Sequence, residues 1–262
     1  MALYYKEDGE QNEQIILFLH GGGVGGWMWD EQVQYFKGKY HCIVPDLPGH
    51  GRSRETASLP IKDCAFHPIH PLEGKKADKT IIVAASSPGP QTAIQMLSQS
   101  PDLIDYAMIN SALVRKVPFG KEMVKPTIKL TYPLIKYRFF SKLQAKQLYI
   151  GPNLFEQYFK DSNRMSLDTL TMVLEENMSF QVPDSYAGVK ASLLITVGEK
   201  ERKVMKSSAI DLLSKQDRAQ AITITGIGHG IPIAAPEFFN DILENWLEGA
   251  GLLLNTKVIP KC

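Results

Sequence analysis

Residues 79–97, KTIIVAASSPGPQTAIQML, carry an apolar run that stops abruptly at two serines and resumes with helical spacing. A strand turning sharply into a helix at a serine is the form of a nucleophile elbow. The pattern small-x-Ser-x-small fits Ala85-Ser86-Ser87-Pro88-Gly89 and selects Ser87; reading one residue earlier selects Ser86, with Pro88 where a small residue is needed. A hydroxyl is a weak nucleophile at neutral pH. It needs a histidine base, itself oriented by a carboxylate. His229, in GIGHG after a late apolar run, has glycines on both sides that let an imidazole project into a site. His20 and His50 also sit in glycine-rich turns, where a structural hydrogen bond is the simpler expectation.

These side chains need a scaffold. Apolar runs at 14–19, 40–46, 79–85, 106–112, 192–199 and 221–227 alternate with helical patterns, among them 90–99, 203–215 and 236–247. That alternation predicts an α/β fold, with a mostly parallel sheet and helices on both faces. Residues 113–188 interrupt it with a helix-rich block that reads as a cap over the sheet, leaving 1–112 and 189–262 as the core.

The loop after the first run, HGGGVGGWMW (20–29), supports two readings. Gly21, Gly23 and Gly26 match GxGxxG, and Asp46 lies 20 residues beyond Gly26, the spacing of a dinucleotide-binding fingerprint. Against it, Trp27-Met28-Trp29 are bulky where a close-packed helix start is wanted, and Asp46 continues into a second glycine-rich loop, DLPGHGRS.

Taken in order, HGGG after a strand, DLPGHGRS after the next, a strand-serine-helix turn, GEKE and GIGHG resemble the α/β-hydrolase superfamily, of the type with a helical cap between the sixth and seventh core strands. The resemblance spans roughly residues 3–248. It implies a serine hydrolase acting on a small or medium ester or other acyl bond. Ser87 attacks, with Ser86 the other candidate, and His229 is base and then acid. The acid, expected as GxxD, falls on Glu201 in Gly198-Glu199-Lys200-Glu201, with Glu199 as the fallback. Gly22 and Gly23 are expected to receive the oxyanion, and no cofactor or metal is implied. Pro88 complicates this picture, because the first oxyanion donor is the N–H after the nucleophile and proline has none. The expectation is a slow hydrolase unless the Gly89 N–H takes over. The second reading is a catalytically silent ligand-binding protein on the same fold, and the third is the dinucleotide binder.

Between DLPGHGRS and the serines, CAFHPIHPLEGKKAD (64–78) has two prolines and no helical periodicity, and is expected to form a loop or broken turn that leaves part of the sheet thinly covered. Its Cys64, His67, His70 and Glu73 recur every third residue, but with prolines inside the set they are not expected to converge on one ion. The tail from residue 250 has no assigned role.

Of 262 residues, 44% are hydrophobic and 22% charged, with a net charge of +1, which gives no basis for a nucleic-acid partner. Three cysteines form no disulfide framework, and the first residues lack an apolar segment of signal-peptide length, so the expected location is the cytoplasm. The charge is uneven. Residues 113–150 hold nine Lys/Arg against the single acid Glu122, a charge of +8 that leaves −7 for the remainder. Phe119, Tyr132, Tyr137, Phe139, Phe140 and Tyr149 are interleaved with those cations. The expectation is a solvated basic face with the aromatics packed inward. The alternative is an apolar acyl pocket whose basic rim meets anionic substrates or a membrane surface. Substrate identity and oligomeric state are not written in these residues.

Overall fold

A computed structural model describes residues 3–56, 59–73, 75, 79–87, 89–251 and 253–261, with the backbone alone at residues 70, 71 and 73. The apolar runs form strands β1 (Tyr5–Asp8), β2 (Ile15–Leu19), β3 (His41–Pro45), β4 (Ile81–Ser86), β5 (Tyr106–Asn110), β6 (Ser192–Gly198), β7 (Ala219–Ile224) and β8 (Thr256–Val258). They build one sheet in the order β1-β3-β2-β4-β5-β6-β7-β8. The edge strands β1 and β8 run antiparallel to β3 and β7, and every other pairing is parallel. Sequence reading named neither edge strand. Both are short, and β8 lies in the tail that had no role.

The helices are α1 (Asp30–Phe36), α2 (Ile61–Cys64), α3 (Phe66–Glu73), α4 (Gly89–Gln99), α5 (Gly120–Thr131), α6 (Arg138–Gln147), α7 (Pro152–Arg164), α8 (Leu167–Ser179), α9 (Lys203–Ser214), α10 (Ile231–Ala234) and α11 (Pro236–Leu247). Alternate residues of the central strands enter different cores, as strands covered on both faces must. Leu17, Leu19, Val83, Ala85, Ile109 and Ile195 pack with Ile94 and Leu97 of α4 and Leu212 of α9. Phe18, Ala84, Met108, Leu194 and Ile222 pack with Trp29, Phe36 of α1 and Phe239 and Leu243 of α11.

The loop expected over 64–78 is in part a helix. Pro68 is the third residue of α3, where no intrahelical partner for an N–H exists, so its ring costs the helix little. Pro71 does remove a bond, at about 3 kcal/mol. Ile69 and Leu72 are buried against the strands of the first core, and each such burial contributes roughly 1.5–3 kcal/mol. Packing thus outweighs the missing periodicity, and this stretch of sheet is covered. The Cys64, His67, His70, Glu73 set includes two side chains outside the described residues.

Helices α5 to α8 lie between β5 and β6, which are the fifth and sixth strands here because one strand alone precedes β2. Their aromatics do not all turn inward as expected. Phe119, Tyr137, Phe139 and Tyr149 are exposed.

Candidate active site

Parallel strands end on one edge of the sheet, and ligand sites in such sheets form beyond those carboxyl ends. Register makes this concrete: Leu19 pairs with Ala85, Ser86 with Asn110, and Asn110 with Thr196. The loops after β2, β4, β5, β6 and β7 therefore emerge side by side, and they carry Gly22, Gly23, Ser87, Glu201 and His229.

Ser86 closes β4, is buried, and its Oγ accepts a 3.4 Å hydrogen bond from Asn110 Nδ2. Ser87 occupies the following turn and is half-buried. Pro88 lies outside the described residues. The expected sharp turn is made without left-handed backbone at either serine. Gly89 opens α4 against the end of β2, and a Cβ there would sit 2.5 Å from the Leu19 carbonyl oxygen. Only glycine permits that approach, which matches the spacing Ser87-x-Gly89.

The β2 loop is bound to the same turn. The Gly22 N–H donates to the Ser87 carbonyl at 3.1 Å. That donor is therefore committed, whereas the Gly23 N–H makes no backbone hydrogen bond among the described residues, and Gly23 borders open space with φ +74°. His20 is fully buried, with Nδ1 2.7 Å from the Gly21 carbonyl and Nε2 accepting from the Leu47 N–H at 2.8 Å. The two contacts fix the Nδ1–H tautomer, and burial lowers the pKa of His20, keeping the ring neutral. The His50 ring lies 5.1 Å from it, tilted by 59°, and its pKa is pushed down to about 3 by burial. Both are structural histidines.

The spacing that suggested a dinucleotide fingerprint has another cause. Asp46 accepts from the Gly26 N–H at 2.6 Å and from the Arg52 N–H at 2.8 Å, bracing the two glycine loops against each other. A carboxylate so engaged is not free to hold a ribose.

The acid and base loops meet beyond β6 and β7. Glu201 Oε2 lies 3.1 Å from His229 Nδ1. Its other oxygen, Oε1, accepts from Ser111 Oγ at 2.5 Å and from the Gly198 N–H at 3.0 Å. Burial pushes the Glu201 carboxyl up, but the His229 contact, the Ser111 hydroxyl and the Gly198 amide together outweigh it and hold the group below the usual carboxylate range. Glu199 points elsewhere: it accepts from the Gly226 N–H at 2.9 Å and pairs with Lys257 of β8 at 3.3 Å. The Lys200 N–H donates to the Ile227 carbonyl and ties the acid loop to the histidine loop. Tyr149, from the α6–α7 turn and itself at φ +59°, lies against that loop, and a Cβ at Gly228 would come within 2.7 Å of its Oη. Among the described residues, neither serine hydroxyl is hydrogen-bonded to His229.

Ser111 was missed by sequence reasoning. It follows β5 directly, is buried, and holds φ +58°, an uncommon conformation for a non-glycine residue. With Asn110 it completes a buried polar row: Thr196 Oγ1 donates to Asn110 Oδ1 at 2.9 Å, Asn110 reaches Ser86, and Ser111 reaches Glu201. The available signal was Asn110-Ser111 closing an otherwise apolar run beside Thr196.

The depressed Glu201 carboxyl fixes a pH dependence. A group whose pKa falls on folding stabilises the native state above its unfolded value, and that contribution disappears as pH drops through the folded value. Ser111→Ala removes a hydrogen bond to a charged group, worth about 1.5–3 kcal/mol, and leaves the Glu201 carboxyl less depressed, so the loss on acidification should start in the same range but be smaller and end at a higher pH in the variant. Thermal melting from neutral pH downward measures it. Superimposable pH–Tm profiles, apart from a constant offset, would deny Ser111 any hold on the Glu201 charge.

Residues 16–242 match the Alpha/beta hydrolase family. The (E)-2-((N-methylformamido)methylene)succinate hydrolase of Acinetobacter baylyi is 23% identical over 257 residues, covering 94% of each chain. Among solved structures, the enol-lactonase of Burkholderia xenovorans LB400 superposes with a TM-score of 0.78 at 16% identity, covering 94% of this chain and 96% of that one. A thermophilic esterase from Thermogutta terrifontis gives a TM-score of 0.75 at 16% identity, covering 94% and 93%.

Proposed function

This chain belongs to the alpha/beta hydrolase family, and on that premise we propose that it is a serine hydrolase cleaving a small or medium ester or related acyl bond. The observation that carries this reading is the pairing of Glu201 with His229 at 3.1 Å, on loops tied to each other and opening on the edge where β4 delivers Ser87. Glu201, ionised, accepts a hydrogen bond from Nδ1–H of His229 and leaves the Nε2 lone pair free to act as base. Ser87 Oγ adds to the acyl carbon as Nε2 takes its proton. The tetrahedral oxyanion forms at the Gly23 N–H, and the proton passes from Nε2 to the departing alkoxide. Water, deprotonated by the same nitrogen, then cleaves the acyl-enzyme and regenerates Ser87.

Ser87 is favoured over Ser86 because the Ser86 hydroxyl is buried and engaged by Asn110, whereas Ser87 is half-buried in the turn. The missing Ser87–His229 hydrogen bond does not count against the roles, since catalytic contacts in unliganded enzymes are often long and tighten with substrate. The proteins named above are a hydrolase, an enol-lactonase and an esterase by name, and those names support a hydrolytic reaction here.

Treating the protein with a fluorophosphonate and mapping the modified peptide tests the assignment. Labelling is expected at Ser87. Labelling at Ser86 would move the nucleophile by one residue. A protein that resists the probe at both serines, yet binds acyl ligands, would be the silent family member instead.

A further inference from the structure

The cap displays a pattern that hydrolysis does not require. In α5, Gly120 and Val124 are buried and Ile128 is half-buried, on the side that meets α8, while Met123, Pro126 and Leu130 are exposed. Their spacing of three and four puts those three on one outward row. Beside it runs a second exposed row, Lys121, Lys125 and Lys129, at intervals of four. Helix α6 repeats the arrangement: Phe139 and Leu143 form an exposed apolar row next to Arg138, Lys142 and Lys146. Phe119, Leu134 and Tyr137 extend the apolar surface before and between the two helices. Phe119, Leu130 and Phe139 are 78%, 77% and 76% exposed, values at which a large apolar side chain gains nothing from the fold. Among the described residues, Lys121, Lys125, Lys129, Lys136, Lys142 and Lys146 form no ion pair, whereas Arg115 and Arg138 are neutralised by Asp211 and Glu156.

We propose that this face of the cap docks on an anionic phospholipid bilayer. Cations flanking outward apolar rows are what an interfacial surface needs, the apolar side chains entering the headgroup–acyl boundary while Lys and Arg stay with the phosphates. Charge separation sets the orientation. The +8 of residues 113–150 against −7 for the remainder turns α5 and α6 toward a negative surface and the rest of the molecule away. The same charge argues against a second copy of this chain, since like faces would set their unpaired lysines against each other. A nucleic acid would satisfy the cations and stack on Phe119, Tyr137 and Phe139, but it would leave the aliphatic Met123, Leu130, Leu134 and Leu143 in water, where a bilayer buries them. Among the described residues no helix is long and apolar enough to cross a membrane, so the contact is peripheral. The inference does not depend on the catalytic assignment.

The test is cosedimentation of the full chain with phosphatidylcholine vesicles, with and without phosphatidylserine, at low and high salt. Binding is expected on the anionic vesicles alone and should weaken with salt. Each cation removed near the surface should weaken it about fivefold, so the combined Lys121→Gln, Lys125→Gln, Lys129→Gln variant should bind on the order of 100-fold less tightly. Leu130→Ser and Phe139→Ser should each lose roughly tenfold or more through their lost apolar burial. All these side chains point to solvent, so the variants should keep the wild-type Tm and fluorophosphonate labelling, which separates a docking defect from a catalytic or folding one. Equal binding to neutral and anionic vesicles, or binding indifferent to the variants, would overturn the proposal. So would lipid-free dimerisation abolished by Leu130→Ser, or tighter binding to single-stranded DNA than to vesicles.

Discussion

Replacing His229 with alanine is expected to abolish fluorophosphonate labelling of Ser87 and to lower kcat on a small aryl ester by about 10⁶-fold, the usual cost of removing a triad nucleophile or base. The size follows from the role: without Nε2 nothing near Ser87 takes its proton, and the hydroxyl reverts to its weak intrinsic nucleophilicity. Glu201→Gln should be slower by about 10⁴-fold rather than silent. Here the geometry gives a specific reason. The Gly198 N–H and the Ser111 hydroxyl both donate to Oε1, so a glutamine would place its carbonyl oxygen there and turn its NH₂ toward His229. Facing a donor, Nδ1 must give up its proton, the ring carries hydrogen on Nε2, and the base is lost. Raising the pH would not restore it, because the wrong tautomer is neutral. Equal labelling of wild type and His229→Ala would remove the triad from consideration.

The residues proposed for these roles stand out in the sequence because they lie on turns whose residue types are restricted by chemistry. A serine between a strand and a helix, and a histidine flanked by glycines, have few other uses. Gly89 adds a steric reason, its approach to Leu19, that fixes the register of the serine turn. Asp46 and Gly26 were legible too, but as the wrong motif. A spacing of 20 residues between a glycine loop and an acid fits a ribose contact, and fits equally well a carboxylate that braces its own loop. Spacing alone does not say which partner the carboxylate finds.

What could not be read was whatever depends on neighbours distant in sequence. Ser111 belongs to no motif; it matters because parallel register carries the end of β5 to the Glu201 loop, 90 residues away. Helix α3 defeats its own prolines because Ile69 and Leu72 meet a sheet that local periodicity does not see. Over α5 and α6, composition gave the cations and aromatics, while their direction depended on which side of α5 met α8. That side is Val124 and Ile128, so Met123 and Leu130 were left facing solvent.

Pro88 carries the remaining large effect. It lies outside the described residues, but its chemistry is set by the chain: after Ser87 there is no N–H to receive an oxyanion. The surroundings increase the deficit, since the Gly22 N–H is already donated to the Ser87 carbonyl and Gly23 remains as the donor from the β2 loop. One oxyanion donor is worth about 3–4 kcal/mol. Pro88→Leu restores an N–H at that point and should raise kcat on a small aryl ester by up to ~10²–10³-fold. KM should change little, because the donor acts on charge that develops only in the transition state. Stability should fall slightly, as the unfolded chain gains freedom when proline is removed. If Ser86 were the nucleophile, its donor would be the Ser87 N–H, already present, and the substitution would give no comparable gain. Unchanged kcat with labelling at Ser86 would therefore reassign the nucleophile. Unchanged kcat with labelling at Ser87 would mean that the hole is already filled, with the Gly89 N–H, at the start of α4, the next backbone donor along the chain.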